Sequence, residues 1–334
     1  MTTVLHVTSV WGGGVQTAIE SIIDSVGGGV SHSVLCREVD LHNENLRENF
    51  FVKSKNPLIF LLQAAIFVRA NRFDVVHLHS SHAGLLRPLL WGRTVVYSPH
   101  CFAFERSDIS GFFRFAIKQV ERALSRIGRI WAISAWEVRL AESLGAKSVI
   151  QGNNFAIMPM AKSRTAMPGT KTVAMIGRLC PQKDPGYFKA LSNKVRKLTS
   201  ARFVWIGDGE EQHKLDLRGA EIEVTGWLTP RAYSCRLAEV DLVLHTALWE
   251  GSPMSLLEAA SAGLPIVVRK IASLQALGYV VLPEDLDQAA QVVAAHLTNS
   301  VNRQAAIAVS ERITLENSQR ALIESISMAY GFPK

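Results

Sequence analysis

Apolar side chains along this sequence fall into short runs that alternate with longer amphipathic stretches. Val4–Val7 (VLHV), Phe73–His79 (FDVVHLH), Thr94–Ser98 (TVVYS) and Arg129–Ser134 (RIWAIS) have the length and β-branched content of buried strands. Val15–Val26, Leu58–Ala70 and Phe112–Ser125 carry apolar residues at helical spacing. Between Asn153 and Thr172 the stretch NNFAIMPMAKSRTAMPGTK has prolines, a glycine and no period, and reads as a linker. The alternation then restarts, with strands predicted at Thr172–Gly177, Arg202–Gly209, Ile222–Trp227, Asp241–Thr246 and Pro265–Val268. Helices are expected from Gly186 to Leu198, through Leu257, and finally over Leu315–Tyr330. Apolar strands alternating with helices predict an α/β chain of two Rossmann-like halves, each a parallel sheet covered on both faces. In such folds ligands bind outside the carboxyl ends of the strands, in a cleft when two sheets face each other.

Composition narrows the choice of ligand. The 334 residues suggest two domains, and 48% hydrophobic against 19% charged residues rules out wholesale disorder. Thirty-six Lys and Arg against 29 Asp and Glu leave a net charge of +7, with no dense basic tract, so no nucleic-acid partner is expected. The positive balance fits phosphate-bearing small molecules or an anionic membrane surface. Cys36, Cys101, Cys180 and Cys235 form no CxxC or Cys/His knuckle, which argues against structural zinc and a disulfide framework. MTTVLHVTSVWGGG lacks the order of a signal peptide, and the apolar run Leu58–Val68 falls short of the ~20 residues of a span. A cytoplasmic protein is expected, with peripheral attachment to the inner membrane face left open.

Candidate chemistry clusters just after the strands. Trp11-Gly12-Gly13-Gly14 links the first strand to the first helix, where backbone can approach an anion closely. It fits the dinucleotide fingerprint poorly, because Thr17 stands where a third glycine is needed. Arg178 and Lys183 lie together beyond Thr172–Gly177 and suit a diphosphate, one as a bidentate fork and one as a point charge. In EGSPMSLLE, Ser252 reads as an N-cap and Pro253 as the first helical residue. Glu250 precedes this helix, and Glu258 within it can accept from a vicinal diol such as a ribose. His77 and His79 share one face of a strand, but no third ligand is visible, so no metal is expected. His6 and His245 read as core histidines, whereas His100 follows a strand end.

GRLCPQKD, WIGDGEEQHKL, VTGW and EGSPMSLLEAASAGLPIVV resemble the retaining nucleotide-sugar glycosyltransferases of family 4, which have the GT-B fold. WGGGVQTAIESI, DVVHLHSSHAGLL, YSPHCFAFE, AISAWEV and GNN resemble the corresponding segments of the family's first half. The resemblance implies that Arg178 and Lys183 bind the donor diphosphate and that Glu258 holds the ribose. It implies that Glu250 contacts the donor sugar, supported by the Gly251-Ser252-Pro253-Met254-Ser255 turn. Gly13 and Gly14 would close over the donor, His100 would stand near the reacting sugar carbon, and Gly226-Trp227 would meet the base. No metal or other cofactor is implied, since cationic side chains and helix dipoles stabilise the departing diphosphate. The resemblance also implies a terminal helix that returns to the first domain, giving domains of 1–160 completed by 315–334, and 161–314.

Two departures mark this chain: Cys101 stands where the family has glycine, and RKIASLQALGYVVLP after the last strand is short. From Phe112 to Arg129, phenylalanines alternate with Arg114, Lys118, Arg122 and Arg126, as in a membrane-docking helix or a core helix with a basic outer face. The segment is most similar to bacterial polysaccharide-assembly enzymes, whose acceptors are glycans or polyprenyl-diphosphate-linked saccharides. The expected activity is transfer from a UDP-sugar, or next a GDP-sugar, to such an acceptor. The alternative is a non-catalytic or epimerase-like sugar-nucleotide-binding protein of the same fold.

Overall fold

The computed structural model describes residues 1–26, 29–39, 49–156 and 170–332. The chain divides into two compact units, Met1–Phe155 with Ser318–Lys334, and Ala156–Asn317.

The first unit runs β1 (Thr2–Trp11), α1 (Gly13–Ser25), β2 (Val30–Val39), β3 (Phe50–Val52), α2 (Pro57–Ala70), β4 (Val75–His79), α3 (Ser80–Gly84), β5 (Thr94–Ser98), α4 (Gly111–Leu124), β6 (Arg129–Ala132), α5 (Ala135–Ser143) and β7 (Val149–Gln151). The second continues with β8 (Thr172–Ile176), α6 (Pro185–Arg196), β9 (Arg202–Ile206), α7 (Glu211–Arg218), β10 (Glu223–Val224), α8 (Pro230–Ala238) and β11 (Leu242–His245). It ends with α9 (Met254–Ser261), β12 (Ile266–Val268), α10 (Ala272–Ala276), β13 (Val280–Val281), α11 (Leu286–Thr298) and α12 (Ser300–Glu316). The last helix, α13 (Gln319–Tyr330), belongs to the first unit.

All pairings between these described strands are parallel, in the orders β3-β2-β1-β4-β5-β6-β7 and β10-β9-β8-β11-β12-β13. Strand order reverses between β1 and β4 in one sheet and between β8 and β11 in the other. Such a switch point parts the loops at the carboxyl ends of two neighbouring strands and leaves room for a ligand. Central strands are buried on both faces, as in β4 and β8, which is why they read as continuous apolar runs.

Helix starts follow local rules. Asn56 caps α2 through Leu58 and Ile59 amides with Pro57 behind it, and Asp184 caps α6 through Tyr187. The terminal helix begins at Gln319 rather than Leu315, because Ser318 caps it and Leu315 and Glu316 finish α12. It buries Leu322, Ile326, Ala329 and Tyr330 against Val4, Ile22, Val96 and Trp131. Burying Leu322 and Ile326 contributes on the order of 2 kcal/mol each. The expected strand over Ile222–Trp227 shrinks to β10, since Gly226 turns the chain at φ 71°. Most of the expected linker, residues 157–169, lies outside the described residues.

The phenylalanines of the Phe112 helix do not pack into the core. Phe112, Phe113 and Phe115 of α4 are exposed, and the side it buries carries Glu121. There the Arg87 guanidinium pairs with Glu121 at 2.6 Å and lies 4.1 Å over the Tyr97 ring, while the Tyr97 hydroxyl donates to Glu121 at 2.7 Å. The helix is therefore held by a buried ion pair and turns its aromatic residues outward.

Candidate active site

In the second unit, the loops after β8 and β11 meet at the switch point. Leu248 N donates to the Gln182 carbonyl (2.8 Å), Gln182 Nε2 to the Trp249 carbonyl (2.9 Å), and Thr246 Oγ1 to the Lys183 carbonyl (2.7 Å). This zipper delivers Lys183 to Glu250, where Nζ donates to Oε1 in a short ion pair. His245, the last residue of β11, presents Nε2 3.3 Å from the same oxygen. It is wholly buried but faces the carboxylate, which corrects the reading of a plain core histidine. Burial alone would raise the Glu250 pKa, but the Lys183 charge and His245 outweigh it and hold the carboxyl at about 2. The Glu250 carbonyl is fixed by Ser273 Oγ at 2.6 Å.

Gly177 follows β8 at φ 137°, and a Cβ there would press on Lys183 Cε at 3.2 Å. The neighbouring turn after β9 packs closer still. A Cβ on Gly207 would lie 2.1 Å from the Gly177 carbonyl oxygen, and one on Gly209 would lie 1.9 Å from that of Leu179. GDG is thus a backbone-contact motif that seats the Gly177–Lys183 loop. Arg178 is exposed on that loop, and Trp227 is exposed beyond the Gly226 turn.

The α9 helix starts at Met254 with Pro253 as its N-cap and no side-chain cap, so the expected Ser252 cap and helical Pro253 are corrected. Proline's fixed φ of −67° suits either place, and sequence alone does not choose between them. Gly251 and Ser252 are buried, and Ser255 is half-buried in the first turn. Glu258 lies on the same helix and accepts from the Tyr233 hydroxyl at 2.7 Å. Burial raises the Glu258 pKa, and the Tyr233 bond draws it back. Tyr233 was not foreseen: it sits on α8 and meets Glu258 only through the fold.

In the first unit, Gly13 and Gly14 are exposed at the start of α1, with Gly13 at φ 56°. His100 and Cys101 follow β5 with φ 52° and 87°, a left-handed turn that disfavours side chains. The turn is held by Glu137, whose carboxylate accepts from the amides of Cys101 (2.5 Å) and Ile133 (3.0 Å). Burial raises the Glu137 carboxyl to about 7.

Beneath that turn lies a histidine cluster. His6 of β1 pairs in register with His77 of β4, and one ring nitrogen from each of His6, His77 and His79 lies within 4.8 Å of the others. The third imidazole that the sequence did not reveal is therefore His6, contrary to the reading of His77 and His79 as a pair. These nitrogens are hydrogen-bonded: His6 Nδ1 to His79 Nε2 (3.0 Å), His77 Nδ1 to the Tyr330 hydroxyl (2.9 Å) and His77 Nε2 to Ser98 Oγ (2.7 Å). An x-His-x-His pattern on one strand with a histidine in the next parallel strand was the available signal.

A cavity of about 420 Å³ lies at the opposite, amino-terminal edge of the second sheet, lined by Thr172, Arg202, Arg196 and Arg236. It does not include Lys183, Glu250 or Glu258, and the switch-point chemistry carries more weight than its volume.

Residues 170–299 match the family model described as "Glycosyl transferases group 1", and residues 37–150 match "Glycosyl transferase 4-like domain". The chain belongs to the GT4-type glycosyltransferases. Its fold is GT-B. The glycosyltransferase is 26% identical over 266 residues to the Escherichia coli UDP-Gal:alpha-D-GlcNAc-diphosphoundecaprenol alpha-1,3-galactosyltransferase, covering 71% of this chain and 65% of that protein. Its structure is similar to sucrose-phosphate synthase from Thermosynechococcus elongatus, with a TM-score of 0.82 at 12% identity over 99% of this chain and 98% of that one. It also resembles Anabaena HepE in complex with UDP and glucose, with a TM-score of 0.74 at 13% identity over 99% of this chain and 100% of that one.

Proposed function

We propose that this glycosyltransferase is a retaining, metal-independent enzyme that moves a sugar from a UDP-sugar, or next a GDP-sugar, to a glycan or polyprenyl-diphosphate-linked saccharide in cell-surface polysaccharide assembly. The carrying observation is the Lys183–Glu250–His245 constellation at the switch point of the second sheet. A lysine charge beside an ionised, buried carboxylate offers a cation for the departing diphosphate and an acceptor for donor hydroxyls. Exposed Arg178 adds a second cation, and Glu258, oriented by Tyr233, offers an acceptor for a ribose diol. Charge that develops on the leaving nucleoside diphosphate is where such fixed groups lower a barrier most, by several kcal/mol. His100 is the first-unit residue to which this reading gives a part in the reaction. The UDP preference draws on the donor in the name of the Escherichia coli relative and on the UDP in the HepE structure.

The test is nucleoside diphosphate release across a panel of UDP-, GDP- and ADP-sugars. Hydrolysis of a UDP-sugar, undiminished by EDTA, with the anomeric configuration retained in the product, is expected. Stabilisation by NAD alone, or loss of activity in EDTA restored by Mg²⁺, would overturn this reading.

The outward face of α4 supports contact with an anionic membrane surface. Phe112, Phe113 and Phe115 are 76%, 61% and 63% exposed beside Arg114, Lys118 and Arg122. No helix among the described residues is long and apolar enough to cross a membrane. Cosedimentation with phosphatidylglycerol vesicles should fall when these phenylalanines are changed to serine. Equal binding by the variant would exclude this face.

A further inference from the structure

The histidines of the first unit form an ordered chain. His100 Nε2 lies 2.9 Å from His79 Nδ1, His79 Nε2 3.0 Å from His6 Nδ1, and His6 Nε2 3.0 Å from His32 Nδ1. Each link joins an Nε2 to the next ring's Nδ1, so the four imidazoles run head to tail. A neutral imidazole carries one proton, which makes each ring a donor at one nitrogen and an acceptor at the other. A head-to-tail chain therefore has two consistent protonation patterns. Either every ring is protonated at Nε2 and His100 Nδ1 is an acceptor, or every ring is protonated at Nδ1 and His100 Nδ1 is a donor.

We infer that His32, His6, His79 and His100 form a proton relay that sets whether His100 accepts or donates at its Nδ1. The step balances within the chain. A proton arriving on His100 Nδ1 releases the His100 Nε2 proton to His79 Nδ1. His79 then passes its Nε2 proton to His6 Nδ1, and His6 passes its own to His32 Nδ1. One proton has entered, three have moved one link each, and the positive charge rests on His32. His6 and His79 are wholly buried, whereas His32 on β2 is half-buried. Return of the proton reverses every hop.

The surroundings favour a chain that is neutral at rest. Burial holds the His77 and His79 pKa values well below the ordinary range, with the neighbouring imidazoles adding to the effect, and burial brings His100 down to about 4. His77 lies against His79 with ring centroids 4.0 Å apart at a tilt of 31° but stands outside the chain, because Tyr330 and Ser98 occupy both of its nitrogens. Of the acids near the His100 turn, Glu137 holds the Cys101 amide and Glu105 accepts from Trp136 at 2.5 Å. The relay rests on the glycosyl-transfer reading for its purpose, since an acceptor hydroxyl must lose a proton as the new bond forms.

The experiment uses the full-length protein labelled with ¹⁵N-histidine, without substrate. The ring ¹⁵N shifts of His32, His6, His79 and His100 should report the same tautomer at neutral pH. The chain should take up its first proton in one shared step. His32→Phe should change the His100 ring shifts across two intervening rings, whereas Ser33→Ala should not. His32→Gln serves as the second variant should phenylalanine disturb β2. Opposite tautomers along the chain, or His100 shifts unchanged in a folded His32 variant, would overturn the relay. A protein that hydrolyses no sugar nucleotide would instead overturn the functional reading, and the ring shifts would still decide the relay. With an active donor, the relay further predicts a solvent isotope effect on transfer that His32→Phe diminishes, while the KM for the donor stays unchanged.

Discussion

Replacing Lys183 by alanine should cost stability before it is ever noticed in catalysis. The Lys183 and Glu250 side chains are only 13% and 10% exposed, and Glu250 is held ionised by this lysine together with His245. Moving a carboxyl from an ordinary 4.5 to about 2 corresponds to roughly 3 kcal/mol of stability at neutral pH. Breaking a buried pair typically costs a similar amount, since it leaves one charge uncompensated. Lys183→Ala should therefore lose about 3 kcal/mol at pH 7, read from urea unfolding through the fluorescence of the buried Trp205 and Trp249. Because the folded-state pKa is depressed, the contribution is complete above about 4.5 and disappears as pH falls towards about 2. The gap between wild type and variant should shrink over that range. Adding Glu250→Gln to Lys183→Ala should recover part of the loss, with a coupling energy of about 1–3 kcal/mol. A loss under ~0.5 kcal/mol at pH 7, or one equally large at pH 3, would refute the coupling of these two residues.

Cys101→Gly should stabilise the first unit by about 0.5–1 kcal/mol, because φ 87° strains a side chain more than glycine's extra chain entropy costs; the thermal midpoint should rise. Gly209→Ala should be severely destabilising, by more than ~2 kcal/mol, since its Cβ would sit 1.9 Å from the Leu179 carbonyl oxygen, and urea unfolding reads the loss. Glu137 is an acid with a raised folded-state pKa, so its contribution is greatest below about 4.5 and is lost as pH rises through about 7. Glu137→Gln should flatten the stability profile across that window, and a profile with the wild-type slope would exclude Glu137 as its source.

Much of the molecule was legible along the chain wherever one residue's neighbours in sequence are also its neighbours in space. The apolar runs at Val4–Val7, Thr94–Ser98 and Thr172–Ile176 announced central strands, because a strand buried on both faces must be apolar throughout. β2 was not legible, since His32, Ser33, Arg37 and Glu38 interrupt it, and β13 spans only two residues. Lys183, Glu250 and Glu258 were singled out because strand ends and helix starts are local features. That Lys183 meets Glu250, with His245 beside it, was decided by the hydrogen-bond zipper between two loops far apart in sequence.

The histidines and the α4 helix make the same division sharper. Sequence established that His77 and His79 share a strand face, but His6, His32 and His100 joined them only when β1, β2 and β5 took their places around β4. The outward turn of Phe112, Phe113 and Phe115 depends on Glu121 finding Arg87 and Tyr97, which come from the segments around α3 and β5. By itself, the sequence determined the fold class, the strand-end loops and the residue types that can serve a phosphorylated sugar donor. Partnership, burial and proton state were left to the tertiary structure, because they depend on contacts that hydrophobic periodicity does not encode.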